Sequence, residues 1–340
     1  MTSATELPGL DLDRFRGFYD RVRPGEITGP LAGALIAGGK SNLTYVVSDG
    51  THEWVVRRPP LGHVLATAHD MVREHRVITA LRDTDVPVPR TYALCEDEDV
   101  IGAPFYVMER VHGTPYRTAA ELTALGPERT EAISRRSVET LATLHSVDPA
   151  AVGLADFGRP DGFLERQVRR WKKQLDASRS RDLAGAEELH DLLARSIPAE
   201  QPPAIVHGDY RLDNLLVDED DRIAAVLDWE MATLGDPLTD VALMLLYADL
   251  AKLDRSVADA STAPGFLDSG RTIDLYRERT GRDLTRMGFY VGLAAFKLAV
   301  ILEGIHYRYS HGQTVGEGFD AVGAAVEPLI AHGLAAVKED

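Results

Sequence analysis

Three oxygen-bearing side chains stand out by type and spacing. Asp209 and Asn214 lie five residues apart in His207-Gly208-Asp209-Tyr210-Arg211-Leu212-Asp213-Asn214, and Asp228 follows in Val226-Leu227-Asp228-Trp229-Glu230. A magnesium ion takes hard oxygen ligands, usually one or two protein side chains completed by phosphate oxygens and water. A further carboxylate can orient an attacking hydroxyl and accept its proton. Asn214 and Asp228 would share the metal, and Asp209 would face the hydroxyl. These are the parts that phosphoryl transfer requires, at the spacing H-x-D-x-x-x-x-N. Asp and Asn also form turns. Three agreeing spacings and a glycine-rich β segment upstream favour the chemical reading over a bare hairpin.

These residues need a rigid frame. The β-like runs 204–207, 214–217 and 223–228 place them on a strand, a loop and a short hairpin. Around that frame the periodicity is helical: 127–145, 164–175, 187–197, 238–250, 272–278 and 285–309. Upstream the pattern differs. A helix over 11–22 is ended by Pro24-Gly25, and a meander follows through 34–37, 43–48 and 54–57, with the turn signal Asp49-Gly50. A helix over 69–81 and strands over 92–96 and 104–111 complete that part. Residues 177–186 and 256–270 read as exposed loops.

The segments His207-Gly208-Asp209 … Asn214 and Leu227-Asp228-Trp229-Glu230 … Gly235-Asp236-Pro237 … Asp240 resemble the aminoglycoside-phosphotransferase-like, or choline-kinase-like, branch of the protein-kinase fold. The likeness runs from Ile36 to about Leu246. Arg57-Arg58-Pro59-Pro60 and Ala232-Thr233-Leu234-Gly235 bring it nearest to the kinase-like domain found alone in bacteria or fused to acyl-CoA dehydrogenases. The resemblance implies an α+β, two-lobed, protein-kinase-like fold. An N-terminal antiparallel β lobe with one helix would occupy 1–108, a hinge 109–112, and a larger, mostly helical lobe 113–340. It implies an ATP- or GTP-dependent, magnesium-requiring enzyme. In that fold His207 holds the catalytic loop, and Asp240 accepts backbone donors. Asp236 is either scaffold or chemistry.

The nucleotide side is read position by position. Gly39-Lys40-Ser41 looks like the end of a Walker A loop, but Ala34 stands where its first glycine belongs and a strand follows instead of a helix. A glycine hairpin over the phosphates fits better, with Gly39, Ser41 and Asn42 as donors. Arg57 takes the place of the kinase β3 lysine, with Glu74 on the next helix as its partner. Arg58 takes that role if the register shifts by one. Arginine keeps the charge but offers a planar fork. Glu109 and Val111 would meet the adenine through their backbones.

The acceptor side is read by exclusion. Gly208 replaces the arginine of H-R-D, and only seven residues separate Asp228 from Asp236. That leaves little room for a peptide platform, which favours a small-molecule hydroxyl acceptor over a protein. Tyr210, Trp229 and Glu230 are candidates to line its site. A hydroxyacyl-CoA or another hydroxylated metabolite is favoured over an aminoglycoside. The alternatives are a catalytically silent nucleotide-binding module and a protein kinase. Esterase elbow, zinc-helix and C-x-x-C motifs are not found.

Composition sets outer bounds. The 340 residues carry 37 Lys+Arg and 53 Asp+Glu, a net charge of −16. Nucleic acid and anionic membrane are therefore not expected partners. Residues 207–240 hold ten acids and two bases, and so half of that charge. Asp209 and Asp228 belong to the chemistry, while Asp218–Asp221 reads as a wet turn. Cys95 is the single cysteine, which fits a reducing cytoplasm. No secretory signal is expected at residues 1–10. The longest apolar run, Val291–Leu302, is interrupted by Lys297 and too short to span a bilayer. The oligomeric state is open.

Overall fold

The computed structural model describes residues 7–36, 42–62, 69–252, 259–312 and 322–340. The chain divides into two compact units. One comprises the residues up to Thr114 together with Leu216–Ala232, and the other comprises Pro115–Leu215 with Thr233–Asp340. The first division thus falls just after the 109–112 segment, and a hairpin from the middle of the chain joins the N-terminal unit.

The first unit is built on a five-stranded antiparallel sheet in the order β1-β2-β3-β5-β4. Its strands are β1 (Ala32–Leu35), β2 (Leu43–Ser48), β3 (Glu53–Arg58), β4 (Thr91–Cys95) and β5 (Phe105–Glu109). The β2–β3 turn closes on Asp49, whose carboxylate accepts from the N–H groups of Thr28, Thr51 and His52 at 2.7 to 2.8 Å. Alternation sorts the side chains. Tyr45, Val47, Trp54, Val56, Phe105 and Val107 enter one core with Phe15, Phe18 and Tyr19 of α1 (Leu12–Val22). Arg57 and Tyr106 therefore belong to the other face of their strands. Helix α2 (Met71–Leu81), capped by Asp70, packs against β4 and β5 and buries Glu74 among Met71, Val77 and Ile78. This unit carries two helices, as the 11–22 and 69–81 periodicities read, where the resemblance implied one; α1 buries its apolar stripe in the sheet's core. The hairpin β7 (Leu215–Val217) and β8 (Ile223–Val226) completes it, and Val226 N–H bonds to the Pro87 carbonyl at 2.8 Å.

The second unit is helical: α3 (Ala119–Leu125), α4 (Pro127–Ser146), α5 (Phe163–Ser178), α6 (Ala186–Arg195), α7 (Leu238–Lys252), α8 (Ser269–Thr280), α9 (Met287–Ser310) and α10 (Val326–Glu339). Strands β6 (Ala204–Val206) and β9 (Thr233–Gly235) pair antiparallel within it. The 24-residue α9 is its central helix, packed by α5, α6, α7 and α10. By length and hydropathy α9 could cross a membrane, a longer apolar stretch than the sequence pattern implied, yet most of it is buried inside the unit. Its crossing with α10 is close. A Cβ on Gly333 would approach Ala295 Cβ to 3.1 Å and Leu189 Cδ2 to 2.9 Å, so a larger residue there would push on α9 and on the Leu189 side chain.

Candidate active site

In the N-terminal unit, two carboxylates meet one guanidinium. Arg57 Nε donates to Glu74 Oε2 at 2.9 Å, and Arg57 Nη2 bonds to Asp228. Glu74 is nearly inaccessible to solvent, and it also accepts from Tyr106 Oη at 2.9 Å and Asn42 Nδ2 at 3.1 Å. Asn42 Nδ2 reaches Glu230 Oε2 at 3.0 Å, and Asn42 Oδ1 meets His69 Nδ1 at 2.9 Å. Burial works against the charge of Arg57, but the carboxylates around it prevail and hold it charged. Burial pushes the Glu74 carboxyl up, and Arg57 opposes that shift. Burial and the neighbouring Arg57 push the His69 imidazole below its usual range, which favours its neutral form.

Arg58 turns to the opposite face of the strand. It is buried and donates to carbonyls, among them Ile101 O at 2.9 Å. The register thus presents Arg57, not Arg58, to Glu74. Carboxylate oxygens of Glu74, Asp228 and Glu230 lie within 4.8 Å of one another. This is a hard-oxygen donor set of the kind a magnesium ion takes. Asp228 has a left-handed backbone, φ 65° and ψ 64°. An aspartate there costs about 1 kcal/mol or more of local strain, an expense concentrated at functional positions.

In the helical unit the loop after β6 carries Asp209. Asn214 Nδ2 donates to Asp209 Oδ2 at 3.1 Å and to the Asp209 carbonyl at 2.9 Å. Tyr247 Oη, on α7, reaches Asp209 Oδ1 at 3.4 Å. Burial pushes the Tyr247 hydroxyl up, so it remains a donor. The loop itself hangs from Asp240 at the start of α7. Asp240 Oδ2 accepts from His207 N at 2.7 Å and Oδ1 from Gly208 N at 2.8 Å. His145 Nε2 approaches the same carboxylate at 3.2 Å, and its Nδ1 meets Tyr276 Oη at 2.7 Å. Burial keeps the His145 imidazole below its usual range. A neutral ring fits both contacts, with Nε2–H donating to Asp240 and Nδ1 accepting from Tyr276. Burial opposes ionisation of Asp240, but His145, His207 and the Gly208 N–H outweigh it and hold the carboxyl low. Asp236 is scaffold: it accepts from Leu238 N at 3.0 Å and Tyr290 Oη at 2.8 Å.

The structure therefore groups Asn42, Arg57, Glu74, Asp228 and Glu230 in one unit, and His207, Asp209, Asn214 and Asp240 in the other. Gly39 and Ser41 lie outside the described residues. Glu109 ends β5 with its N–H on the Arg90 carbonyl at 2.8 Å, and Val111 follows half-buried. Trp229 is fully buried with Nε1–H on the Val226 carbonyl at 3.0 Å, a core position. Glu230 stands with the carboxylate cluster. Tyr210 is buried with Oη on the Ser137 carbonyl at 2.8 Å, and it lines a cavity beside the loop. Leu212, Leu215, Met244, Leu245 and Phe266 give that cavity an apolar wall. Sequence reasoning missed His145 and Tyr247. A histidine on the apolar face of α4 and a tyrosine seven residues after Asp240 were the only signals.

An antiparallel sheet unit with an Arg–Glu pair and a helical unit with an Asp–Asn loop are the two parts of a kinase-like phosphotransferase fold. The chain belongs to the phosphotransferase enzyme family (APH), whose profile it matches over residues 33–278. It is 37% identical over 292 residues to acyl-CoA dehydrogenase family member 10 of Mus musculus, covering 84% of this chain and 27% of that protein. The chain spans less than half the length of curated relatives of this kind. A Ralstonia eutropha protein assigned to the aminoglycoside phosphotransferases superposes with a TM-score of 0.85 at 35% identity, covering 97% of this chain and 98% of that one. Aminoglycoside phosphotransferase APH(4)-Ia, solved as a complex with AMP-PNP and hygromycin B, shares the fold at 16% identity and a TM-score of 0.60, covering 95% of this chain and 97% of that one.

Proposed function

We propose that the chain transfers the γ-phosphoryl group of ATP to a hydroxyl of a small molecule. The observation that carries this reading is the Asp209–Asn214 pair on a loop hung from Asp240. It presents a half-buried carboxylate whose backbone is fixed on both sides, as a general base must be. The acceptor O–H bonds to Asp209, which takes its proton as the oxygen attacks the γ-phosphorus. The bond to the β-phosphate oxygen breaks and ADP leaves. Arg57, charged and oriented by Glu74, holds the triphosphate; GTP would be held by the same groups. Asp228, with Glu230 beside it, would hold magnesium, which would supply neutralisation of phosphate charge; Asn214, which the sequence spacing assigns to the metal, bonds Asp209 through its Nδ2.

The acceptor reading rests on the apolar wall beside the loop. A hydroxylated metabolite with an apolar portion, such as a hydroxyacyl thioester of CoA, suits it better than a polycationic aminoglycoside. The test is magnesium-dependent ATP consumption by the purified chain with a panel of hydroxyacyl-CoAs, simple alcohols and aminoglycosides. Turnover with a hydroxyacyl-CoA that Asp209→Ala abolishes supports the reading. Acceptor-independent ATP hydrolysis, or turnover that survives Asp209→Ala, overturns it.

A further inference from the structure

Lys297 is the one charge in the apolar run Val291–Leu302, and the chemistry above leaves it unexplained. It lies on the central helix α9, where an ammonium is costly unless it is paired. Its Nζ donates to the Gly208 carbonyl at 3.1 Å and stands 5.9 Å from the centroid of the buried Trp171 ring. Burial lowers the Lys297 pKa; Asp240 and Asp209 act to raise it, and Arg170 to lower it.

Gly208 is thereby held at both ends of its residue. Its N–H is bound by Asp240 and its C=O by Lys297. Its φ of +85° lies in the left-handed region that glycine tolerates. The orientation of the following peptide, and with it the start of Asp209, depends on where that carbonyl points. We infer that Lys297 is a positioning residue for Asp209: from α9 it fixes the Gly208 carbonyl, completing from the opposite side the hold that Asp240 has on the loop. This rests on the reading of Asp209 as the catalytic base, but the pinning of the loop can be measured without it.

The variants are Lys297→Met, which keeps the length and loses donor and charge, and Lys297→Gln, which keeps a donor. Hydrogen–deuterium exchange of the full chain is read on peptides spanning 205–214, alongside kcat and KM on the acceptor that the panel identifies. Lys297→Met should melt normally yet exchange faster in that segment. Its kcat should fall roughly 10- to 100-fold with KM for ATP unchanged. Lys297→Gln should recover most of both. Unchanged exchange in Lys297→Met overturns the inference whether or not the chain turns over any acceptor. So does faster exchange with an unchanged kcat. If Lys297→Met unfolds, Lys297→Gln takes its place: a wild-type exchange pattern with a wild-type kcat supports the donor role, and faster exchange over 205–214 or a kcat lowered about tenfold or more overturns it. A wild-type chain that is inactive on every acceptor refutes the phosphotransfer reading, and the exchange result alone then decides whether Lys297 pins the loop.

Discussion

Asp240→Asn is the substitution whose cost can be worked out most fully. The carboxylate takes three donors on two oxygens: His207 N and His145 Nε2 on Oδ2, and Gly208 N on Oδ1. The amide has one oxygen. Its best orientation puts that oxygen at the Oδ2 position, keeps two bonds and turns its NH₂ towards the Gly208 N–H, donor against donor. One charge-assisted bond is lost, two become neutral, and a buried N–H is left unpaired, in all about 3 kcal/mol. Relief of the clash must move Gly208 and so Asp209. A shift of 1 Å at the base costs roughly 100-fold in kcat. The nucleotide groups Arg57 and Glu74 are untouched, so KM for ATP should hold. Equilibrium urea unfolding followed by tryptophan fluorescence, with steady-state kinetics, reads both quantities. A variant as stable as wild type to within about 0.5 kcal/mol, or one with wild-type kcat, refutes the idea that this carboxylate suspends the loop.

Other consequences follow from the same reasoning. Arg57→Met strands the buried Glu74 with only Tyr106 and Asn42 as donors, and should cost about 3 kcal/mol in urea unfolding, most of it recovered in Arg57→Met/Glu74→Leu; equal losses in the single and double variants would contradict the buried-pair account. Asp49 carries a carboxyl held far below 3.8 by the N–H groups of Thr28, His52 and Thr51. Its folded pKa is depressed, so its stabilisation is present above the unfolded value and fades as pH falls below it. Asp49→Asn should therefore lose about 2 kcal/mol at pH 7 and progressively less towards pH 2, and a pH-independent difference would rule out the charge as the cause.

Much of the fold was legible because its signals are local. Leu12–Val22, Leu43–Ser48 and Met71–Leu81 show clean periodicity with caps or turn residues at their ends, and the structure places elements there. The misses have physical reasons. Helix α10 holds Pro328 and Gly333, residue types that disfavour a helix interior, yet Pro328 sits in the first turn and Gly333 packs closely on α9. Strand β9 has three residues, too few for an alternation, and exists through its pairing with β6. Helix α3 was findable: Thr118 and Glu121 form a capping box. The Asp209–Asn214 spacing is local and could be read directly. The meeting of Asn42, Glu74 and Glu230 could not, because it joins the start of β2, helix α2 and the turn after β8, which only the tertiary fold brings together. Glu230, a candidate for the acceptor side in the sequence, stands beside Asp228.

The central claim is that Asp209 is the base of a phosphoryl transfer. The most direct measurement follows label from [γ-³²P]ATP to an acceptor alcohol, with magnesium, for wild type and Asp209→Asn, while calorimetry follows ATP binding to both. The account predicts equal ATP affinity and a transfer rate lower in Asp209→Asn by about 10²- to 10⁴-fold. Transfer at the wild-type rate by a folded, ATP-binding Asp209→Asn protein would contradict it.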